Sequence, residues 1–130
     1  MKKGDRFAFT FVIDSKVHEG FISVFKDLNP LHTDENYARQ KGFSGKVMHG
    51  NILNGFLSYF IGELLPVKNV IIHTQSINYK NPVYLNDEIN FEATVEEVYE
   101  SVGAIGLIYE FRNPAKNHVS AKGKIQIGLI

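Results

Sequence analysis

The sequence predicts an α+β domain in which one long, buried helix packs against a mostly antiparallel sheet. Three observations carry this. A broad apolar stripe runs from Ile52 to Leu65 at helical spacing. Four apolar segments follow it between Val70 and Ile127, separated by turn-forming residues. One further strand pattern stands alone at the start. A strand, then helices, then a run of strands is the order of an α+β layer architecture.

Phe7, Phe9, Phe11 and Ile13 alternate with smaller or polar neighbours, the period of a half-buried strand. Asp14 and Ser15 then offer N-caps for a helix in which Val17, Phe21, Val24 and Phe25 recur up to about Lys26. Asp27 to Pro30 reads as a helix-breaking loop, followed by a short helical turn around Asp34 to Arg39. On the long helix Ile52, Leu53, Phe56, Leu57, Phe60 and Ile61 make a stripe wide enough for a central position. Gly50, Gly55 and Gly62 admit other backbones, and Pro66 marks the end.

The later strands are expected over Val70–Lys80, Asp87–Val98, Ser101–Phe111 and Val119–Ile127. In the second of them Ile89, Phe91, Ala93 and Val95 share a face. No internal repeat or low-complexity tract interrupts the chain, so residues 1–130 read as a single domain. One sheet against one helix leaves a surface or edge uncovered, and pairing covers it. A homodimer is therefore expected, with a higher homo-oligomer also open.

Composition narrows the function. The 130 residues carry 14 basic and 14 acidic side chains, which excludes a global field drawing in nucleic acid or an anionic membrane. The absence of cysteine excludes a disulfide scaffold, a thiolate zinc site and a cysteine nucleophile. Lys2 and Lys3 lead into Gly4-Asp5-Arg6 rather than an apolar core, so no signal peptide is expected. The stretch Ile52–Leu65 is too short for a bilayer and contains Asn54, Ser58 and Glu63. The chain reads as cytoplasmic, with no membrane partner.

Asp27 and His32 bracket Asn29-Pro30 just after a helix. A helix-stop turn would use the same residues. So would a loop stiffened by Pro30 that holds a carboxylate and an imidazole together, the two side chains best suited to sharing proton transfers near neutral pH. His49 and Gly50 open the long helix, where unpaired N–H groups meet developing negative charge on a ligand oxygen. Ser58 lies eight residues beyond Gly50, on nearly the same face, placed either to orient His32 or to bond back to Asn54.

The run Asp27-Leu28-Asn29-Pro30-Leu31-His32, then Gly42-Phe43, then Val47-Met48-His49-Gly50, resembles the signature of the MaoC-like dehydratases, or (R)-specific enoyl-CoA hydratases. The stretch Ile77 to Asp87 is similar to the family's later strand pair, with Asn86 in place of a glycine, a change that a left-handed turn tolerates. The resemblance covers essentially the whole chain. It implies the hotdog fold, an antiparallel sheet wrapped around one long central helix, and a hydro-lyase interconverting trans-2-enoyl and (R)-3-hydroxyacyl thioesters. It further implies Asp27 and His32 as the catalytic pair, with Gly50 N–H on the thioester oxygen. Asn29, Ser58, His49 and Phe43 would then support or line the site. No cofactor is implied beyond coenzyme A as part of the substrate.

Asp27, Asn29, His32 and Asp34 lack a recognised metal-ligand pattern, so no metal is expected. His18, His73 and His118 read as surface or strand residues without a role. A hotdog thioesterase would want a carboxylate on the central helix, where only Glu63 stands, near the end. A non-catalytic thioester-binding module would keep the fold and lack turnover. Balanced charge gives no docking patch for an acidic carrier protein, which favours coenzyme A over acyl carrier protein.

Overall fold

The structure, a computed structural model, describes residues 1–130. Strand β1 (Arg6–Val12) is followed by helices α1 (Ser15–Phe25), α2 (Pro30–Thr33), α3 (Glu35–Gln40) and α4 (Asn51–Tyr59). Strands β2 (Val70–Tyr79), β3 (Glu88–Tyr99), β4 (Ala104–Asn113) and β5 (His118–Leu129) complete the chain. The five strands form one antiparallel sheet in the order β1-β3-β4-β5-β2, leaving β1 and β2 at the edges.

The core lies where α4 meets the concave face of this sheet. Alternation along β3 buries Ile89, Phe91, Ala93 and Val95, and β4 supplies Ile105, Leu107, Tyr109 and Phe111 to the same cluster. From the helix come Ile52, Leu53 and Leu57. Phe91 sits at the centre, its ring 4.8 Å from Phe60, 5.1 Å from Phe9 and 5.1 Å from Phe111.

The structure departs from the expected elements in three places. The long helix does not stay α-helical to its end. Phe60–Leu64 widens into a π-helical turn closed by Leu65 N–H on the Phe60 carbonyl at 3.2 Å, and both Phe60 and Ile61 enter the core. Strand β4 starts at Ala104 rather than Ser101, because Glu100–Val102 forms a 3₁₀ turn ended by left-handed Gly103 at φ 60°. The stretch expected to be a loop at Pro30 is a one-turn helix. Proline at its first position loses no needed N–H, and the Asn29 side chain accepts from Leu31 N–H at 3.0 Å. Asn86, as expected, takes the left-handed turn at φ 68°.

Two features of β5 seat the rest. At a bulge the Ser120 carbonyl accepts from Lys80 N–H at 2.8 Å and Asn81 N–H at 3.2 Å, anchoring the segment after β2. Further along, Gly123 lets the Tyr109 hydroxyl cross to the Ser76 carbonyl at 2.8 Å. A Cβ at Gly123 would fall on that carbonyl oxygen and on the Tyr109 hydroxyl. Because the obstacle is backbone, Gly123→Ala should cost about 3 kcal/mol of stability, read as a lowered urea midpoint. An unchanged midpoint would show that β2 and β5 are not packed this closely.

Candidate active site

The site is assembled at the start of α4, where α1 and α2 close over it. Helix α1 ends in left-handed Lys26, at φ 61°, which turns the chain sharply into Asp27. Asp27 Oδ1 accepts from Asn29 N–H at 3.1 Å, leaving Oδ2 free to face the interior. Thr33 Oγ1 donates to the carbonyls of Leu28 and Asn29, at 3.2 Å each, and ties the turn to the residues before it. Asn29 thus holds the geometry of its neighbours and does not line the cavity.

His32 projects from α2 with its Nδ1 at 2.8 Å from the Val47 carbonyl. A carbonyl only accepts, so Nδ1 carries the proton and Nε2 presents a lone pair. That Nε2 stands 3.9 Å from Asp27 Oδ2. The gap is too long for a direct hydrogen bond and short enough for one water to touch both groups.

Two more imidazoles complete the arrangement. His49 is buried, donates from Nε2 to the Asp27 carbonyl at 2.9 Å, and stacks on His32 with ring centroids 3.9 Å apart. His18, only 6% exposed, donates from Nε2 to the carbonyl of His32 itself at 3.0 Å. This corrects the reading of His18 as a surface residue: from α1 it holds the backbone of the turn that carries His32. A signal was present, since His18 falls three residues before Phe21 and seven before Phe25, on the apolar face of its helix.

Gly50 begins α4 with no side-chain cap, and its N–H donates to no carbonyl. Its backbone is ordinary, at φ −58°; what requires glycine is the Tyr79 ring, which would lie 2.8 Å from a Cβ there. Tyr79 went unread because strand alternation carries no hint of this contact.

Asp27, His32, His49 and Gly50 line one cavity of about 500 Å³, with Phe21, Phe43, Tyr79 and Pro82 among its walls. Ser58 is not brought to His32. It is exposed in the groove between α1 and α4, and the Val47 carbonyl orients the imidazole in its place.

Asp27, His32 and His49 carry donor atoms within 4.8 Å of one another. Zinc needs nitrogen lone pairs converging at about 2.0–2.1 Å. Here two rings lie only 30° from parallel, with one N–H of each already spent on a carbonyl, so their in-plane lone pairs run side by side. The arrangement suits proton transfer.

Burial holds the His18 imidazole below its ordinary pKa, and Lys46, His49 and His32 add to this, against a smaller upward pull from its bond to the His32 carbonyl. A lowered folded value means that the unfolded chain binds the proton more readily. The contribution of His18 to stability is therefore complete above about pH 6.5 and declines as the pH falls below it. His18→Phe keeps a ring and removes the titration. Urea midpoints between pH 5 and 8 should slope less for the variant than for the wild type, and equal slopes would count against this linkage.

Comparison with known proteins bears on the family and the fold. The family described as "MaoC like domain" matches residues 10–106. An (R)-specific enoyl-CoA hydratase from Aeromonas caviae is 35% identical over 80 residues, 62% of this chain and 60% of the relative. A mitochondrial 3-hydroxyacyl-[acyl-carrier-protein] dehydratase from Arabidopsis thaliana is 33% identical over 89 residues, 68% of this chain and 52% of the relative. The match thus spans a little over half the length of these curated relatives. Among solved structures, the (R)-hydratase from A. caviae superposes with a TM-score of 0.91 at 25% identity, covering 100% of this chain and 98% of that one. With its five-stranded hotdog sheet and its family match over residues 10–106, the chain belongs to the MaoC-like domain family.

Proposed function

We propose that this chain hydrates trans-2-enoyl thioesters to (R)-3-hydroxyacyl thioesters and catalyses the reverse dehydration. The observation that carries the reading is the 3.9 Å gap between Asp27 Oδ2 and the unprotonated Nε2 of His32, opening on the cavity headed by Gly50 N–H. Water held in that gap attacks C3 of the enoyl group as one of the pair takes its proton, and a proton is delivered to C2 on the same face. Negative charge moves meanwhile to the thioester oxygen, where Gly50 N–H and the positive end of α4 stabilise it. The (R) outcome rests on the relatives, which are named for it.

A thioesterase reading finds less support. Glu63 is exposed, lies 3.9 Å from Lys68 and lines neither the acid–base cavity nor the groove beside it. Coenzyme A is the favoured carrier, since the chain has no net charge and Lys80 is the only lysine or arginine lining the cavity. No helix is long and apolar enough to cross a membrane, and we read this cysteine-free chain as cytoplasmic. We further propose a homodimer built on β2, a ten-residue edge strand with mostly exposed side chains on both faces, Ile71 and Ile72 among them. Such an edge is left open at a cost that pairing with a second copy removes.

Spectrophotometric assay with trans-2-enoyl-CoAs of increasing length should detect hydration, and silence across the series would sink the proposal. Asp27→Asn should lower kcat by about a hundredfold or more with little change in stability, because the side chain is 49% exposed. A variant retaining a tenth of the activity would remove Asp27 from the chemistry, and thiol release with the enoyl absorbance intact would favour the thioesterase. Light scattering should give twice the 14.7 kDa chain mass, and a monomer would refute the β2 pairing.

A further inference from the structure

The acid–base cavity shares Phe21, Asp27 and Asn51 with a larger groove of about 750 Å³ between α1 and α4. One wall of that groove is apolar, from Val17, Phe21, Val24 and Phe25 on α1. The other is polar. Asn51, Asn54 and Ser58 follow one another along α4, with Gly55 between them leaving space. A groove built only for an alkyl chain has no use for this second wall.

The polar wall belongs to a connected hydrogen-bond seam. Asn54 Nδ2 donates to Asn51 Oδ1 at 2.9 Å and to the Tyr79 hydroxyl at 3.2 Å. Gln75 Nε2 donates to Asn54 Oδ1 at 2.6 Å and to the Tyr109 hydroxyl at 3.3 Å, while Tyr109 spends its own proton on the Ser76 carbonyl. These bonds fix the amide orientations across α4, β2 and β4. Two donors are left over: the Tyr79 O–H, which accepts from Asn54 and donates to nothing in the protein, and the Asn51 side-chain NH₂. Tyr79 lines the acid–base cavity with its ring against Gly50, and its hydroxyl meets Asn54, about one helical turn along α4 from Gly50.

We propose that this seam selects thioesters whose acyl chain carries a neutral oxygen acceptor, a hydroxyl or a carbonyl, a few carbons beyond C3; the inference rests on the hydratase reading above. Both unspent groups are donors, so the substituent accepts. It is neutral because the Asp27 carboxylate lines both the groove and the acid–base cavity that Tyr79 borders, while no lysine or arginine lines the groove and only Lys80 lines the cavity. A plain alkyl chain in the same place strips water from the two donors and returns nothing, whereas an oxygen restores the bond. Sites built to hydrogen-bond a substrate group discriminate strongly against analogues without it. Tyr79 is half-exposed, which limits the effect here to about tenfold.

The test compares trans-2-hexenoyl-CoA with its 5-hydroxy, 6-hydroxy and terminal-carboxylate derivatives, in the wild type and in Tyr79→Phe, which removes one oxygen. Calorimetric binding of hexanoyl-CoA and 6-hydroxyhexanoyl-CoA, which cannot be hydrated, runs in parallel. The hydroxylated chain should be favoured about tenfold in kcat/KM and in Kd, and Tyr79→Phe should bring both ratios close to one. Asn54→Leu, which unseats the hydroxyl, should do the same. A wild type that prefers the plain or the carboxylated chain, or a preference that survives Tyr79→Phe, would overturn the proposal. Tyr79-dependent binding preference without turnover of any enoyl thioester would support the seam while removing the hydratase reading.

Discussion

Three imidazole N–H groups, each spent on a main-chain carbonyl of another segment, hold this site in one arrangement. His32 donates to Val47, His49 to Asp27 and His18 to His32. A neutral imidazole has one proton, so committing it also commits the lone pair. The lone pair of His32 is thereby directed to Asp27 without any side chain dedicated to that purpose. The donations also join α1, the turn that carries Asp27 and His32, and the residues before α4. The Nδ1 of His49 is buried with no partner, and the burial of His18 disfavours a charge on that ring.

The sheet makes that arrangement possible by fixing where α4 begins. Phe60, Phe91 and Phe111 seat the far end of the helix on the sheet, and the Ser120 bulge anchors the segment around Lys80 and Asn81 beside its near end. Helix start, catalytic turn and cavity wall thus all refer to one rigid platform. The same sheet leaves one side of β2 unpaired, and β2 also carries Gln75 and Tyr79 into the polar seam. The strand proposed for pairing with a second copy is therefore the one that borders the acid–base cavity, through Tyr79.

Elements with a strong period were legible in the sequence. Ile89, Phe91, Ala93 and Val95 alternate because one face of β3 is buried, and the stripe from Ile52 to Ile61 is broad because α4 is covered on most sides. The one-turn helix at Pro30 was not legible. Proline ends a helix or begins one, and the choice rests on the Asn29 cap and on the pull of Val47 upon His32. The π-helical turn at Phe60 was hidden for a similar reason, since only the packing of Phe60 and Ile61 distinguishes it from continued α-helix.

Asp27, His32, His49 and Gly50, which line one cavity in the structure, were singled out from the sequence because each belongs to a short motif whose spacing survives in one dimension. Ser58 was placed by the same reasoning and lies elsewhere, since helical spacing shows which face a residue occupies but not what stands opposite it. His18 and Tyr79 reach the site across the fold, His18 through a bond between residues 14 apart and Tyr79 through contact with Gly50. By itself the sequence determined the layers and the strand order along the chain, and it put forward Asp27 and His32 as an acid–base pair. Tertiary structure decided the 3.9 Å between that pair, the tautomer of His32 and the polar wall beyond it. Periodicity encodes which faces are buried, and only packing decides which buried faces meet.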